Sequence, residues 1–281
     1  MSIVESYDGF KWYVKEPDHG LPLSKCEFTG IEVLKELGGK DKVFVDVGAY
    51  VGKYAVRMAK VYGKVIAIEP NPEAVEVLKK NIELNGINNI EIINVACGGR
   101  EEERTLYIRG GSSTFFGKYG GKAEIKVKVA RLDGLVKKAD VIKIDVEGWE
   151  LNVVRGAKKL IETCKPVFFI EHHEKAHEYK TVQVLEGTRE KIREILGDYY
   201  RLFIGEHHYL YVPKNHDLRK YCKAVAIHWI NKTLRNLAEG KAWFHGLPYT
   251  WWWGMSHYEF ICTLHERINS EDKWFQILEE D

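Results

Sequence analysis

The stretch Val43–Gly52, VFVDVGAYVG, constrains the fold of this chain more than any other part of its sequence. Its first half is a short apolar run rich in valine, which predicts a strand buried on both faces. Two glycines then predict a tight turn, and apolar residues at helical spacing predict a helix after it. A strand, a glycine turn and a helix make up the ligand-cradling unit of a doubly wound α/β sheet. The apolar residues of the predicted helix are Ala55, Ala59 and Tyr62.

The glycine turn also indicates a class of ligand. Its spacing is Asp-x-Gly-x-x-x-Gly, whereas dinucleotide-binding folds carry Gly-x-Gly-x-x-Gly, with a third glycine for helix packing and a close diphosphate. An acidic residue at the strand tip favours a ligand with a positive amino group and no phosphate, such as S-adenosylmethionine. The simpler interpretation is that the glycines only make a tight turn. The residues of this turn that we expect to bind the cofactor are Asp46, Gly48, Ala49, Tyr50 and Gly52.

A second buried strand is predicted over Lys64–Glu69, and it also ends in an acid. Glu69 lies 17 positions after Gly52, which is about where doubly wound sheets place the carboxylate that binds ribose hydroxyls. Its two oxygens can accept hydrogen bonds from both hydroxyls. We therefore expect Glu69, Pro70 and Asn71 at the cofactor, with Asn71 also capping the next helix. The alternative for Glu69 is a solvated carboxylate at a strand end.

The third strand, Ile90–Val95, is followed by small residues that suit a flat ring lying against the backbone. Ala96 and Cys97 are therefore candidates for the adenine edge of the site. Two half-exposed strands with alternating apolar residues, Thr105–Ile108 and Glu124–Val129, are predicted to lie outside the main sheet. The glycine-rich loop 110–114 between them is placed to reach the ligand.

A second chemical centre is predicted in the stretch DVIKIDVEGWE, residues 140–150. It reads as a buried strand with Lys143 and Asp145 on one side, and buried charges are costly unless they are paired or used. A helix is predicted from about 149 to 161, then a strand over 166–170, a helix over 184–196 and a closing antiparallel pair of strands over 199–204 and 207–212. We expect Asp145 to face the methionine end of the cofactor.

Acidic residues end four of the predicted strands, and in open α/β sheets the ligand lies over the carboxyl ends of the strands. Surface charge alone does not explain that pattern. Past the cofactor we expect these acids and the adjacent histidines to bind the methyl acceptor or take up its proton. The predicted catalytic residues are Asp145, Glu147, Glu171 and His172, and His173 is a further candidate.

These stretches resemble the FkbM family of class I S-adenosylmethionine-dependent methyltransferases. The matching segments are VFVDVGAYVGKYA, VIAIEPNPEAVEVLKKNIELNG and VIKIDVEGWELNVVRGA, and the pattern Lys-Ile-Asp-x-Glu-Gly-x-Glu in the last is the most specific. The resemblance covers roughly residues 40–212. It implies a Rossmann-like seven-stranded sheet, mostly parallel, and methyl transfer, usually to a hydroxyl of a sugar or another metabolite. One departure is Tyr50, where the family usually has asparagine.

Three regions are predicted in the chain. Residues 1–40 form an N-terminal hairpin over residues 6–14 and a helix over residues 31–37, residues 41–212 form the methyltransferase domain, and residues 213–281 form a C-terminal extension. The extension begins with a helix over 217–237 and then becomes rich in aromatic residues, among them Trp251, Trp252 and Trp253. We expect these aromatic residues to pack as a small core on the parent domain, with a substrate lid or a homo-oligomer interface as alternatives.

Composition narrows the choice of substrate class and of cellular location. A net charge of +1 gives no electrostatic reason to expect nucleic acid, which weakens the alternative of an RNA 2′-O-methyltransferase. A non-catalytic nucleotide-binding module is the other alternative, and it would need no paired acids at the site. The five scattered cysteines, the absence of a signal sequence and the absence of an apolar run of spanning length favour a cytoplasmic protein.

A metal site is the last open alternative. His172, His173 and His177 could bind a divalent cation beside Asp145 and Glu171, and such a cation would lower the pKa of the acceptor hydroxyl. The histidines are more simply explained as hydrogen-bonded or solvated residues at a strand end and loop. The sequence prediction is therefore a site without metal.

Overall fold

The computed structural model describes residues 1–24, 27–116, 123–173, 188–205 and 207–238. Within these ranges no helix combines the length and the apolar character that crossing a membrane requires. In chain order the elements are β1 (Ser2–Glu5), β2 (Lys11–Val14), the 3-10 helix η1 (Pro17–Leu23), α1 (Phe28–Glu36), β3 (Gly39–Val47), α2 (Ala55–Met58), β4 (Tyr62–Ile68), α3 (Pro72–Leu84), β5 (Ile90–Ile93), β6 (Ala96–Cys97), β7 (Glu102–Ile108), β8 (Ala123–Ala130), α4 (Leu132–Leu135), β9 (Val141–Ile144), α5 (Glu150–Arg155), α6 (Lys158–Thr163), β10 (Val167–Glu171), α7 (Thr188–Ile195), β11 (Tyr199–Gly205), β12 (His208–Pro213) and α8 (Leu218–Ala238).

The main sheet has seven strands in the order β11-β12-β10-β9-β3-β4-β5. The pairs β10–β9, β9–β3, β3–β4 and β4–β5 are parallel, and β12 runs antiparallel to both of its neighbours. The predicted mostly parallel, Rossmann-like sheet with an antiparallel closing strand is therefore confirmed. Because β3 lies between β9 and β4 and all three strands are parallel, their carboxyl ends meet at one edge of the sheet.

The hydrophobic core lies on both faces of this sheet, as the doubly wound prediction requires. Strand residues alternate between the faces, so Phe169 packs on one side and Phe168 on the other, both fully buried. The first face is covered by α1, α2, α3 and α8, and the second by α4 to α7. The core therefore encloses the strands on both sides, as expected for a sheet whose parallel strands are buried on both faces.

The two half-exposed strands lie outside the main sheet, as predicted. β7 and β8 pair antiparallel, and β8 also pairs with the short strand β6 to form a three-stranded sheet. β6 contains Ala96 and Cys97, so this small sheet extends directly from the predicted adenine edge.

Local boundaries differ from the sequence predictions in three places. Tyr62 begins β4 and is not part of the helix, because α2 already ends at Met58. The hairpin turns at Asp8-Gly9, but its first strand is β1, Ser2–Glu5, which lies before Ser6.

The third difference is a break in the helix predicted from 149 to 161, which the structure divides into α5 and α6. Asp133 accepts hydrogen bonds from the backbone N–H groups of Lys159 and Leu160 at 3.1 and 3.0 Å, and so caps the second helix from outside. At the break, a Cβ on Gly156 would lie 2.1 Å from the carbonyl oxygen of Gly98, so only glycine fits there. A long-range contact therefore overrides the local helical pattern.

The C-terminal helix predicted over 217–237 is α8, Leu218–Ala238, and it packs on α1. The helix predicted over 184–196 corresponds to α7, and its first predicted residues lie outside the described ranges. The aromatic-rich part of the C-terminal extension and His177 also lie outside the described residues.

Candidate active site

The glycine turn after β3 is held by hydrogen bonds to the neighbouring strand. The N–H groups of Gly48 and Ala49 both donate to the carbonyl oxygen of Ile68, at 3.0 and 3.1 Å. Gly48 has a φ of +81°, and a Cβ there would lie 1.8 Å from the carbonyl oxygen of Asp145. The backbones of β3 and β9 therefore approach as closely as they do because position 48 has no side chain.

Replacing Gly48 with alanine is expected to lower the free energy of unfolding by about 2–3 kcal/mol, from left-handed strain plus the forced separation of two backbones. Gly86→Ala is the matched control, because Gly86 also has positive φ, +59°, but has nothing within 4 Å of the added Cβ. That control is expected to cost about 1 kcal/mol. Urea unfolding of the two variants measures the difference, and equal losses would show that the contact with Asp145 does not limit position 48.

Glu69 lies next to this turn and is fully enclosed by it. Its Oε2 accepts from the N–H of Tyr50 and its Oε1 from the N–H of Asn71, both at 2.9 Å. Burial raises the pKa of Glu69 to about 7, although these two N–H groups act in the opposite direction. Each carboxylate oxygen keeps a further lone pair that can accept from a ligand hydroxyl.

A cleft of about 980 Å³, including its open mouth, runs along the strand tips. One wall consists of small and apolar residues, and Trp149 packs there against Phe115 with 5.2 Å between ring centroids. The indole Nε1 of Trp149 is buried and has no hydrogen-bond acceptor among the described residues, so it can donate to a ligand. The other apolar residues of this wall are Val95, Ala96, Cys97 and Leu106.

Two segments outside the main sheet cover the cleft. η1 contributes Leu21, and loop 110–114 contributes Gly111, which lies against the ring of Tyr50. The hydroxyl of Thr114 donates to the carbonyl oxygen of Glu147 at 2.9 Å, which fixes this loop to the tip of β9. The glycine-rich loop therefore lines the cleft, and its contact with a ligand stays a prediction.

Most of the predicted cofactor residues line the cleft, but three lie behind it. Asp46 is fully buried, and its Oδ2 accepts from the N–H of Ala55 at 3.0 Å, so it anchors the start of α2. Gly52 has a φ of +95° and packs against Leu78. Asn71 caps α3 with its side chain, as predicted, and contacts the site only through its backbone. The predicted residues that line the cleft are Gly48, Ala49, Tyr50, Glu69, Pro70, Ala96, Cys97, Asp145 and Glu147.

Lys143 joins the tips of β3 and β9. Its ammonium group is buried, 3.1 Å from Oδ2 of Asp145 and 3.4 Å from Oδ1 of Asp46. Burial alone would raise the pKa of Asp145, but Lys143, with His173 and His208, holds the pKa of that carboxyl well below its usual range. Asp145 is therefore a carboxylate at neutral pH and faces the cleft as an anion.

A group of acids surrounds His173 at the tips of β9 and β10. The ring Nε2 lies 3.5 Å from both Glu147 and Glu171, and Nδ1 lies 2.9 Å from Glu150. Burial favours the neutral ring, but the hydrogen bond to Glu150 and the nearby carboxylates raise the pKa of His173 to about 11. Burial also raises the pKa of Glu147 to about 7, with Asp145 and Glu150 adding to the effect against the attraction of His173.

Glu147 is held in an unusual backbone conformation. Its φ is +52°, in the left-handed region, and the following Gly148 also has positive φ. Such strain persists only where surrounding contacts enforce it, and it is concentrated at functional sites. The N–H of Gly148 donates to Glu150 rather than to Glu147, so the start of α5 is stabilised by Glu150 and the carboxylate of Glu147 remains in the cleft.

His172, which we expected to be catalytic, does not reach the cleft. It is buried, and its Nε2 hydrogen-bonds to the hydroxyl of Tyr211 at 2.9 Å. Burial, with Arg189 and Arg201 nearby, lowers the pKa of His172 to about 3. The physical reason is the alternation of β10, which directs His172 to the same face as Phe168 and directs its neighbour His173 to the acids.

Three residues of the site had no role in the sequence prediction. Glu27 comes from the N-terminal region and forms a salt bridge with Lys53 at 2.8 Å inside the cleft. Trp149 and Glu150 belong to the motif DVEGWE. Their position in this motif predicts that they lie near the strand tip, but it does not predict the direction of their side chains. No local sequence signal connects Glu27 to this edge of the sheet.

Known methyltransferases are similar in sequence to part of this chain. Methyltransferase sdnD of Sordaria araneosa is 26% identical, in a match that covers 43% of this chain and 66% of that protein. Hexuronic acid methyltransferase AglP of Haloferax volcanii is 27% identical, in a match that covers 51% of this chain and 61% of that protein. The matches thus span about two thirds or less of the length of these relatives.

A solved structure and a family model complete the comparison. The crystal structure of methyltransferase FkbM from Methylobacillus flagellatus KT has a TM-score of 0.44 and 19% identity, over 62% of this chain and 44% of that one. The model of the methyltransferase FkbM domain matches residues 46–211, which include the glycine turn, Glu69 and the tips of β9 and β10. With more than half of its length matched by this model, the chain belongs to the FkbM family of methyltransferases.

Proposed function

We propose that this protein transfers a methyl group from S-adenosylmethionine to a hydroxyl of a sugar or another small metabolite. The observation that carries the proposal is one cleft with Glu69 and Asp145 on opposite sides of the glycine turn. A buried carboxylate with free lone pairs suits ribose hydroxyls, and an ionised carboxylate suits the positive charges of the sulfonium and the amino group.

The chain offers a matching group to each part of the cofactor. Gly48 lets the ends of β3 and β9 approach closely, which brings Asp145 to the same cleft as Glu69. Ala96 and Cys97 present a flat surface to the adenine ring, and the unpaired Nε1 of Trp149 can donate to a ring nitrogen. These features fit S-adenosylmethionine, and no group in this set is suited to a second phosphate.

The protein's part in the reaction is alignment and proton removal. When bound, S-adenosylmethionine supplies a methyl carbon that is already activated for in-line displacement, so holding the acceptor in line is the main task. Lys143 keeps Asp145 ionised and in a fixed position. Glu147 lines the same cleft just past Asp145 and is placed to accept the proton of an acceptor hydroxyl.

The charge at the acceptor end disfavours an acceptor that carries a phosphate group. Asp145 lines the cleft there as a carboxylate, because Lys143 holds its pKa below the usual range, and it would repel a phosphate group. This argues against RNA as the substrate. A relative named as a hexuronic acid methyltransferase supports a sugar as the class of acceptor.

Methyl incorporation from labelled S-adenosylmethionine into a panel of glycans, small hydroxylated metabolites and RNA tests the proposal. We expect label on an oxygen of a small molecule or glycan. Label only on RNA would identify a nucleic-acid methyltransferase, and cofactor binding without label on any acceptor would support a non-catalytic module.

The pKa of Glu69 gives a prediction about pH. Its carboxyl is protonated below about pH 7 in the free protein, and ribose hydroxyls donate to the ionised form. Affinity should therefore rise as the pH rises towards 7, by up to about tenfold per pH unit, and level off above it. Binding of 5′-methylthioadenosine, which has the ribose but lacks the amino-acid end, measures this by calorimetry.

Glu69→Gln is the control for this pH dependence and should bind with a flat profile below pH 7. The nearest charged groups, Asp46 and Lys143, are present in both proteins, so their contributions cancel in the comparison. Parallel profiles for the two proteins would show that another group controls the pH dependence.

A further inference from the structure

Three side chains at the tips of β9 and β10 converge as the ligands of a metal ion do. Asp145, Glu171 and His173 each offer one donor atom, and these atoms lie within 4.8 Å of one another. Nε2 of His173 is 3.5 Å from Oε1 of Glu171, a separation that two atoms each about 2.1 Å from a shared ion can span. Each side chain is 20–24% exposed, so an ion can reach the three donor atoms from solvent and keep open positions.

A buried carboxylate outside this trio is aimed at it. Glu150 is 0% exposed, its Oε1 lies 2.9 Å from Nδ1 of His173, and its Oε2 has no hydrogen-bond donor among the described residues. A carboxylate on the far nitrogen of an imidazole fixes the orientation of the ring, and a metal ion would take the place of the proton on Nε2. Glu150 therefore orients His173 as the outer carboxylates of metal sites orient their histidines.

The other two members of the trio are also held from outside. Lys143 lies 3.1 Å from Oδ2 of Asp145, and Nε2 of His208 lies 3.4 Å from Oε2 of Glu171. In each carboxylate one oxygen is thus occupied by a neighbour, which leaves the second oxygen for the cluster. Fixed orientation of all three donors lowers the entropic cost of assembling a metal site.

The charges around the trio also favour a cation. Glu147 and Glu150 add two carboxylates at contact distance from His173, while Lys143 is shared with Asp46. Four carboxyl groups therefore surround His173 at these strand tips. A divalent ion bound there would favour the ionised form of these groups and would be bound by their oxygens.

We propose that Asp145, Glu171 and His173 bind one divalent transition-metal ion, with Glu150 as the residue that positions His173. One imidazole nitrogen and two carboxylate oxygens are a donor set that suits Mn²⁺, Fe²⁺ or Zn²⁺ better than Mg²⁺ or Ca²⁺, which prefer oxygen alone. This proposal replaces the sequence prediction of a site without metal. The role of the ion in catalysis rests on the proposed function: it would polarise the acceptor hydroxyl beside Glu147.

Manganese titration tests the site without any cofactor or acceptor. The protein is freed of metal with EDTA, transferred to chelator-free buffer and titrated with Mn²⁺, and the electron paramagnetic resonance signal of the unbound ion is followed. We expect one Mn²⁺ per chain with a dissociation constant in the micromolar range. Absence of saturable binding would overturn this inference and leave the proposed methyl transfer untouched, because that is tested separately by labelling.

Three variants and one control locate the ion. His173→Gln and Glu171→Gln should each weaken binding at least about 100-fold, and Glu150→Gln about 10- to 100-fold, since it acts through His173. His216→Gln is the control, because His216 stacks on Tyr221 near α8 and should bind Mn²⁺ as the wild type does. Circular dichroism confirms folding of each variant, and unchanged affinity in both ligand variants would place the ion elsewhere and overturn the proposal.

Discussion

Replacing Glu69 with alanine is expected to weaken the binding of S-adenosylmethionine about 30- to 1000-fold. The estimate corresponds to the loss of two charge-assisted hydrogen bonds to the ribose, about 2–4 kcal/mol. The side chain is 6% exposed and already fixed by two backbone N–H groups, so little ordering is needed before it accepts from the ligand. Isothermal titration calorimetry with the wild type and the variant measures the change.

The same substitution leaves the N–H groups of Tyr50 and Asn71 without their acceptor. The control must therefore be a residue that stabilises the glycine turn but does not contact the ligand. Asn81 meets this requirement: it is fully buried, it donates to the carbonyl oxygen of Val51 at 2.8 Å, and it does not line the cleft. Asn81→Ala should lower the melting temperature but change affinity no more than about threefold. Equal affinity losses in both variants would mean that Glu69 acts only through the turn, and an unchanged affinity in Glu69→Ala would remove Glu69 from the site.

Replacing Glu147 with glutamine is expected to lower turnover about 100-fold or more, with nearly all of the cofactor affinity kept. The substitution preserves shape and removes the proton acceptor next to the acceptor hydroxyl, and a placed general base contributes about this much. Single-turnover methyl transfer, with the acceptor that labelling identifies, is measured beside a cofactor titration. The left-handed backbone at position 147 is the same in both proteins, so strain does not confound the comparison.

Glu150→Gln is the comparison variant for stability, because Glu150 accepts the hydrogen bond at the start of α5 and Glu147 does not. Loss of that buried carboxylate should lower the melting temperature, whereas Glu147→Gln should leave it nearly unchanged. Unchanged chemistry in Glu147→Gln together with a lower melting temperature would assign Glu147 a structural role. Glu171 would then be the better candidate for the proton acceptor.

The sheet and its ligand edge could be predicted from sequence because they depend on local patterns. Apolar runs that end in acids predict buried strands whose tips meet, and the glycine spacing predicts the turn between them. Gly48, Glu69 and Asp145 line one cleft for that reason. The order of strands and helices was enough to place these three residues at the same edge of the sheet.

The side-chain directions at the strand tips could not be predicted in the same way. Whether His172 or His173 faces the acids depends on one step of the pleat after β10, where the strand has already ended. Glu27 lies at the site because the N-terminal region packs there. No periodic pattern in the sequence predicts that packing. These are long-range effects, and a single sequence encodes them only through the complete fold.

Tyr50 illustrates a residue whose role needed the structure. The resemblance to the family indicated that asparagine is usual at this position, and the φ of +47° explains that preference, because asparagine tolerates left-handed backbone. In this chain the tyrosine ring instead packs between Gly111 and His19, with 5.9 Å between the centroids of the two rings. The side chain therefore links the glycine turn to the two segments that cover the cleft.

Calorimetric titration of the wild-type protein with S-adenosylhomocysteine, and separately with NADH, tests the central claim most directly. The cleft has the buried carboxylate of Glu69, which we propose binds the ribose, and the carboxylate of Asp145, but its glycine turn lacks the third glycine that a diphosphate needs. We predict one S-adenosylhomocysteine bound per chain with micromolar affinity and no measurable binding of NADH. Binding of NADH with no binding of S-adenosylhomocysteine would contradict the account.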